Sequence, residues 1–209
     1  PYRWFKKEII SEAEKRTLEE DGKDTYSYLE ELASSSPIGS NGIMFWPFFN
    51  GERCPINKPS ARGSFMGLTH ETEKKDLVRS IMEGVAFSTK DNLRLFEEAG
   101  LTMDEVRIGG GGSKSPLWRK IIADVLGLPL LTTNVDEMGA LGAAITAGSA
   151  SGYFKDPISG AERMIEVTSK DDFDPENTEK YERLFQSYRD FYNKLERWYD
   201  EFDSRIGEI

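Results

Sequence analysis

Four consecutive glycines, Gly109–Gly112, stand between a short apolar stretch and a helix start in RIGGGGSKSPLWRKIIADVLG. Glycine tolerates positive φ and, because it has no Cβ, lets a ligand approach the main chain. Ser115 and Pro116 are residue types preferred at the N-cap and the first position of a helix. Since a helix N-terminus carries unpaired N–H groups and a partial positive charge, this turn favours a phosphate or another oxygen-rich ligand.

The glycine run does not match the two best-known phosphate-binding patterns. A Walker A loop needs glycine immediately before Lys-Ser, whereas Ser113 precedes Lys114 here. The dinucleotide pattern G-x-G-x-x-G lacks its third glycine, because Ser115 occupies that position. A tight strand-to-helix turn without a ligand therefore remains the alternative, and Lys114 fits either a phosphate contact or a solvated surface.

A second glycine-rich segment, DEMGALGAA at 136–144, predicts another helix start. Acidic residues in its first turn suit the helix dipole. Its glycines and alanines make a slim helix, which permits either close packing against a neighbour or a flat heterocycle lying against the backbone. Two such turns at the carboxyl ends of adjacent parallel strands would form the crevice where open α/β sheets bind ligands.

The elements around these turns alternate between helix and strand, which predicts an α/β layer with parallel strands. Gly84, inside the long predicted helix, indicates that another element packs closely there. The final helix carries an apolar stripe that predicts packing against the body. The predicted segments are helices in Tyr2–Glu20, Thr25–Ala33, Glu71–Ala99, Ser115–Gly127, Glu137–Gly152 and Pro175–Ile206, strands in Ile43–Phe49, Val106–Gly110 and Leu128–Thr133, a loop in Ser34–Gly42 and an acidic linker in Lys155–Asp174.

Composition narrows the class of protein. The 209 residues carry a net charge of −10, which argues against binding nucleic acid or an anionic membrane surface. One cysteine, Cys54, excludes an internal disulfide and suits the reducing cytoplasm. With one histidine, His70, besides that cysteine, a His/Cys metal site is not expected. The chain fits one large domain or two small ones.

Several segments together resemble the C-terminal domain of the FGGY carbohydrate kinases, most nearly the xylulokinase-type members. They are RWFKKEI, GERCPINKPSARGSFMGLT, EGVAF, RIGGGGSKSPLWRKIIADVLGLPL and EMGALGAAITAG. Apart from the first, they match in order and spacing over about 39–152. Each is modestly specific alone, but the ordered set is strongly so, and on it the whole chain, 1–209, is interpreted as this one domain.

The resemblance implies an actin-like, ribonuclease H-like ATPase fold that transfers the γ-phosphate of MgATP to a sugar hydroxyl. ATP and Mg²⁺ are the implied cofactors. The sugar pocket and the catalytic Asp are implied to lie in an upstream N-terminal domain, so no catalytic or metal-ligating residue is assigned here. The implied nucleotide-binding residues are Gly110, Gly111, Gly112, Ser113, Ser115, Arg3, Glu137 and Gly139.

Some of these positions differ from the family pattern. Ser115 stands where the family often has an adenine-contacting Asn, and Arg3 where it often has a Gln. Gly111 is implied to lie near the nucleotide phosphates. Arg62, in the GER…ARG loop near the interdomain cleft, suits either phosphate neutralisation or a structural ion pair.

The absent upstream strands imply an incomplete sheet formed by Ile43–Phe49, Val106–Ile108 and Leu130–Thr132. Apolar surface would then be uncovered, which predicts that the isolated chain self-associates, for example as a homodimer, or that it was trimmed from a longer chain. A non-catalytic actin-like domain is the second functional interpretation. A dinucleotide-binding oxidoreductase is disfavoured by the glycine spacing and by the sequence LLTTN at the end of the next strand.

Overall fold

The computed structural model describes residues 1–207, without the side chains of Asp203 and Ile206. Its elements, in chain order, are α1 Tyr2–Glu8, α2 Glu12–Glu20, α3 Thr25–Ser34, β1 Met44–Trp46, β2 Ser64–Met66, α4 Lys74–Glu98, β3 Val106–Ile108, α5 Pro116–Leu126, β4 Leu130–Thr133, α6 Met138–Ala150, α7 Pro157–Met164, β5 Val167–Asp171 and α8 Pro175–Gly207. Short 3₁₀ turns occur at Ser40–Gly42 and Gly111–Lys114. The predicted helices and the two strands that flank α5 are all present, which confirms a mixed α/β architecture.

The strands form two separate sheets, not the single reduced sheet that the sequence predicted. Strands β3 and β4 are parallel, as expected, and β5 pairs with β4 in the antiparallel direction. Strand β1 instead pairs with β2 in an antiparallel ladder that joins Met44 to Met66. The expectation for Ile43–Phe49 was wrong because this segment pairs with the next extended segment along the chain.

The segment Lys155–Asp174 is not a linker, since it contains α7 and β5. Helix α7 starts with a capping box between Asp156 and Ser159. Four of the five residues of β5 are exposed, so this edge strand has no alternating apolar pattern by which the sequence could reveal it. Its pairing with β4 places an antiparallel edge beside the two parallel strands.

Helix α4 is the centre of the core. A Cβ on Gly84 would lie 2.1 Å from the carbonyl oxygen of Phe45, so the backbone of β1 rests directly on the helix. This confirms the close packing predicted at Gly84. On another side, the stripe of α8 packs against the core through five buried aromatic residues, whereas Trp198 is exposed. Trp46 stacks on Tyr188 of this stripe at 5.1 Å between ring centroids.

A buried polar network joins α4 to α8 and to the turn before β1. Glu83 Oε1 accepts hydrogen bonds from Arg79 Nε at 2.9 Å, Tyr181 Oη at 2.9 Å and Gly39 N at 3.1 Å. Glu83 Oε2 accepts one from Ser40 Oγ at 2.8 Å. Because each buried charge has its partners, the network holds the long helices in one relative position.

Helix α6 is mostly exposed although it is built from small, weakly polar residues. A Cβ on Gly139 or Gly142 would meet no described atom within 4 Å. Gly148 does pack closely, against the ring of Phe154.

Within residues 1–207, no helix is long and apolar enough to cross a membrane.

Candidate functional site

A pocket of about 540 Å³ opens beside the glycine turn. Three helices begin at it, α1, α3 and α5, so their first turns supply most of its wall. Its lining consists of Tyr2, Arg3, Asp24, Tyr26, Ser27, Glu30, Gly111, Gly112, Lys114, Ser115 and Trp118. Aromatic rings and polar groups therefore converge on one concave surface, which is typical of a site for a small organic ligand.

Three aromatic side chains form the apolar part of this pocket. Tyr2 lies between Tyr26, whose ring centroid is 5.8 Å away, and Trp118, at 5.1 Å. The indole of Trp118 is held in place because its Nε1 donates to the carbonyl oxygen of Met82 at 3.1 Å. Burial and the carboxylate of Glu30 raise the pKa of Tyr2, so its hydroxyl stays protonated at neutral pH. A flat, uncharged ring system would fit such a surface.

The glycine turn needs glycine for different reasons at different positions. Gly110 has φ +80° and ψ −166°, a conformation open only to glycine. A Cβ on Gly109 would lie 2.7 Å from the Cγ atom of Met138, which is the first residue of α6. A Cβ on Gly111 would meet no described atom within 4 Å, and its φ is not positive. Neither packing nor backbone conformation within the described chain accounts for glycine at 111.

Ser113 holds the turn together. Its Oγ donates to the carbonyl oxygen of Gly110 at 2.6 Å. Its own carbonyl oxygen accepts a hydrogen bond from Arg119 Nη1 at 2.8 Å. The turn is thus internally braced and tied to α5, which gives it a defined shape before any ligand arrives.

The N-terminus of α5 is already capped, which differs from the unpaired N–H groups that the sequence predicted. Ser115 Oγ accepts from the N–H of Trp118 at 3.1 Å, which confirms Ser115 as the N-cap. Glu30 Oε1 accepts from the N–H of Leu117 at 2.9 Å. Because a carboxylate occupies this positive end, the pocket beside it suits an uncharged group better than a phosphate.

The second glycine-rich segment lies next to the pocket but does not line it. Glu137 is the N-cap residue of α6 and its side chain makes no cap hydrogen bond, while Gly139 is exposed. Lys114 Nζ lies 3.2 Å from a carboxylate oxygen of Asp136, which joins the two turns. Of the predicted nucleotide-binding residues, the pocket collects Arg3, Gly111, Gly112 and Ser115, whereas Gly110, Ser113, Glu137 and Gly139 lie outside its lining.

The loop between β1 and β2 is built around two charged residues. Arg62 Nη1 donates to the carbonyl oxygens of Pro59 and Ala61, each at 3.0 Å. The Glu52 side chain is buried and accepts from the backbone of Ile56 at 3.2 Å. Arg62 therefore has a structural role in its own loop, and a phosphate contact by it stays a prediction.

Within the described part of the chain, no cluster of three or more His, Cys, Asp or Glu side chains could hold a metal ion.

Sequence reasoning missed the aromatic wall and the acidic residues of the pocket. Tyr2 and Tyr26 belong to separate N-terminal helices, and Trp118 lies three residues after the N-cap Ser115. A usable signal was Asp24, whose side chain caps α3 by accepting from Tyr26 N at 2.9 Å. Such a cap predicts a helix start, but not that three helix starts converge.

Comparison with known proteins shows the family of this chain. Residues 2–151 match the model of the FGGY family of carbohydrate kinases, C-terminal domain. A xylulose kinase of Staphylococcus epidermidis is 32% identical over 174 residues, which cover 83% of this chain and 35% of that protein. An autoinducer-2 kinase of Klebsiella pneumoniae is 35% identical over 194 residues, covering 91% of this chain and 36% of that protein.

Solved structures show the same fold. The gluconate kinase of Lactobacillus acidophilus superposes with a TM-score of 0.81 at 26% identity, covering 96% of this chain and 39% of the other. A ligand-bound xylulose kinase of the same species gives a TM-score of 0.81 at 25% identity, covering 96% and 39%. The predicted actin-like fold of this domain is confirmed, and the chain spans little more than a third of the length of the relatives it matches. The chain belongs to the FGGY family of carbohydrate kinases, as a C-terminal domain.

Proposed function

We propose that this domain binds the adenosine end of ATP and supplies half of the cleft in which a sugar or polyol hydroxyl is phosphorylated. Family membership supports the reaction class. The pocket supports the position of the nucleotide, because its aromatic wall suits a purine and its glycine rim allows close approach to the main chain. An upstream domain is proposed to supply the sugar pocket and the catalytic Asp.

Gly111 is the observation that carries this proposal. It lines the pocket, yet neither its conformation nor a described neighbour requires a residue without a side chain. A ligand that lies against the main chain at this point explains the glycine, because any Cβ there would intrude on the ligand. The site thereby fits a nucleotide at its nucleoside end.

The residues of this domain act by binding and orienting the nucleotide. Tyr2, Tyr26 and Trp118 would hold the base, and the carboxylates of Asp24 and Glu30 would face its exocyclic amino group, which is the hydrogen-bond donor of adenine. The phosphates would extend past Gly111 and Lys114 towards the second glycine-rich helix, at Glu137 and Gly139. Mg²⁺ would neutralise charge on the transferring phosphate, with its ligands coming from ATP and from the remainder of the protein.

The acceptor is proposed to be a pentulose such as xylulose. Relatives that bear the name xylulose kinase support this choice, including proteins of Staphylococcus epidermidis and Bacillus subtilis. Other matching relatives are named autoinducer-2 kinase and ribulokinase, and one structure is named gluconate kinase. A phosphotransfer assay of the full-length protein over xylulose, ribulose, gluconate and glycerol would identify the acceptor. ATP-dependent phosphorylation of none of them would instead favour a non-catalytic nucleotide-binding domain.

Substitution of Gly111 tests the nucleotide site. In the full-length protein, Gly111→Leu should raise the KM for ATP by about 10-fold or more, equivalent to about 1.4 kcal/mol of binding energy. The KM for the sugar should stay the same, and Gly111→Ala should give a smaller change. The unfolding temperature of Gly111→Ala should match the parent, because a Cβ at this position meets no described atom within 4 Å. An unchanged KM for ATP in Gly111→Leu would contradict the proposal.

A further inference from the structure

Another, much smaller cavity lies between the β1–β2 loop, α4 and α8. It is lined by Phe48, Glu52, Cys54, Pro55, Ser88, Asp91, Tyr188 and Tyr192. The space open to the centre of a water molecule is about 10 Å³. That is close to the minimum that one ordered water requires, and too small for any organic ligand.

Three oxygens in the side chains that line this cavity lack a hydrogen-bond partner within residues 1–207. They are Glu52 Oε1, Tyr188 Oη and Tyr192 Oη, and each is inaccessible to bulk solvent. The three residues are 3%, 2% and 4% exposed. A buried polar atom without a partner destabilises the fold, so three in the lining of one cavity require an explanation.

The groups around the cavity have complementary hydrogen-bonding capacity. The other oxygen of Glu52 is engaged with backbone N–H groups of Ile56 at 3.2 Å and Lys58 at 3.4 Å, which leaves Oε1 as a free acceptor. Burial, followed by the nearby carboxylates of Asp91 and Glu52, raises the pKa of Tyr188 well above its usual value. Burial likewise raises the pKa of Tyr192. Both phenols are therefore protonated donors at neutral pH.

We propose that this cavity binds one water molecule, which accepts hydrogen bonds from Tyr188 and Tyr192 and donates one to Glu52 Oε1. A water can accept two hydrogen bonds and donate two, so all three unpartnered oxygens are satisfied at once. Its second hydrogen faces Asp91 or Ser88, which also line the cavity. The water thereby joins the β1–β2 loop to helix α8, independently of the nucleotide pocket.

Crystals of the chain that diffract to about 1.5 Å would test the proposal directly. The expected result is a single density peak within about 3.2 Å of the three oxygens, at a typical hydrogen-bonding distance. A peak with six oxygen neighbours, as a cation would require, would overturn the assignment. So would a dry cavity in which either phenol donates directly to Glu52 or Asp91.

Unfolding of phenylalanine variants provides a second test in solution. Tyr188→Phe and Tyr192→Phe should each lower the folding equilibrium constant by roughly 5-fold or more. Because both phenols would bind the same water, the double variant should lose less than the product of the two single losses. Tyr153→Phe is the matched control, since Tyr153 is exposed and lies outside the cavity. Losses that multiply in the double variant would overturn the shared water.

Discussion

Helices α4 and α6 each carry a glycine near the middle, yet the two glycines have opposite surroundings. A Cβ on Gly84 of α4 would collide with the backbone of β1, whereas one on Gly142 of α6 would meet no described atom within 4 Å. Eleven of the 25 residues of α4 are buried, whereas α6 has one buried residue, Ile145, and exposes most of its small residues. The same residue type thus permits packing within the chain in α4, and in α6 leaves a surface that we expect the remainder of a longer protein to cover.

The largest effect should come from breaking the buried network of α4. In Glu83→Gln, the buried guanidinium of Arg79 loses its charge partner, so the free energy of unfolding should fall by about 3–5 kcal/mol. Urea unfolding followed by circular dichroism would measure the change. The exposed pair Glu179–Arg183 is the matched control, and Glu179→Gln should cost less than about 1 kcal/mol. If both variants lost a similarly small free energy of unfolding, burial of the network would make no difference to its contribution to stability.

Alanine at the two helical glycines sharpens the contrast between α4 and α6. Gly84→Ala should destabilise the chain by about 1–3 kcal/mol or more, because Phe45 must move. Gly142→Ala should stabilise it by up to about 1 kcal/mol, because alanine is the better helix former and no described atom opposes it. Thermal unfolding of both variants would provide the comparison. If Gly142→Ala instead lowered the stability of the isolated chain, α6 would have to pack against another molecule at that position.

Self-association of the isolated chain stays a prediction, now placed on α6. Ala143 and Ala144 are exposed on this helix, and Ile158 of α7 is 72% exposed. The sedimentation coefficient should rise with protein concentration, and Ala144→Lys should reduce that rise by charging the apolar surface. Lysine at an exposed position of α2, in Thr17→Lys, is the control. A monomer at every concentration would refute the prediction.

A smaller effect is expected at the start of α4, where Lys74 pairs with Glu14. Hydrogen bonds from Lys74, and then from the backbone of Ser11, lower the pKa of Glu14 to about 2, from an ordinary 4.5. Because the folded-state pKa is lowered, the stabilisation is present above about pH 4.5 and is lost as the pH falls towards 2.

Both side chains are about one-third exposed, so solvent screening should limit the contribution to less than about 1 kcal/mol. Unfolding of Lys74→Met at pH 6 and pH 3 would measure it. The variant should lose less stability at pH 3 than at pH 6, because the contribution of the pair shrinks as the pH approaches 2. An equal loss at both pH values would assign the effect to packing instead.

Local signals in the sequence were enough to locate most helices and the glycine turn. Ser115 and Pro116 open α5 as predicted, and the aromatic stripe of α8 packs inwards. Strand β5 was missed because an exposed edge strand lacks apolar alternation. The pairing of β1 with β2 was missed because strand partners depend on the path of the chain between them, which the local pattern does not encode.

The candidate site was predictable only in part for a similar reason. Glycine types and spacing marked Gly111 and Gly112, but the aromatic wall combines Tyr2, Tyr26 and Trp118 from three helices. Capping of Leu117 N by Glu30 is a contact across 87 positions, which no local pattern predicts. The sequence therefore identified the turn, and the structure identified the pocket beside it.

The C-terminal half of α8 determines when the β1–β2 loop can become ordered during synthesis of the chain. Asp200 accepts hydrogen bonds from Lys58 Nζ at 2.6 Å and from Ser60 Oγ at 2.7 Å, and it follows Lys58 by 142 positions. During translation the β1–β2 loop emerges long before these anchors exist. A nascent chain arrested before Asp200 should therefore be cut by proteases at 53–62, and the released chain should resist them.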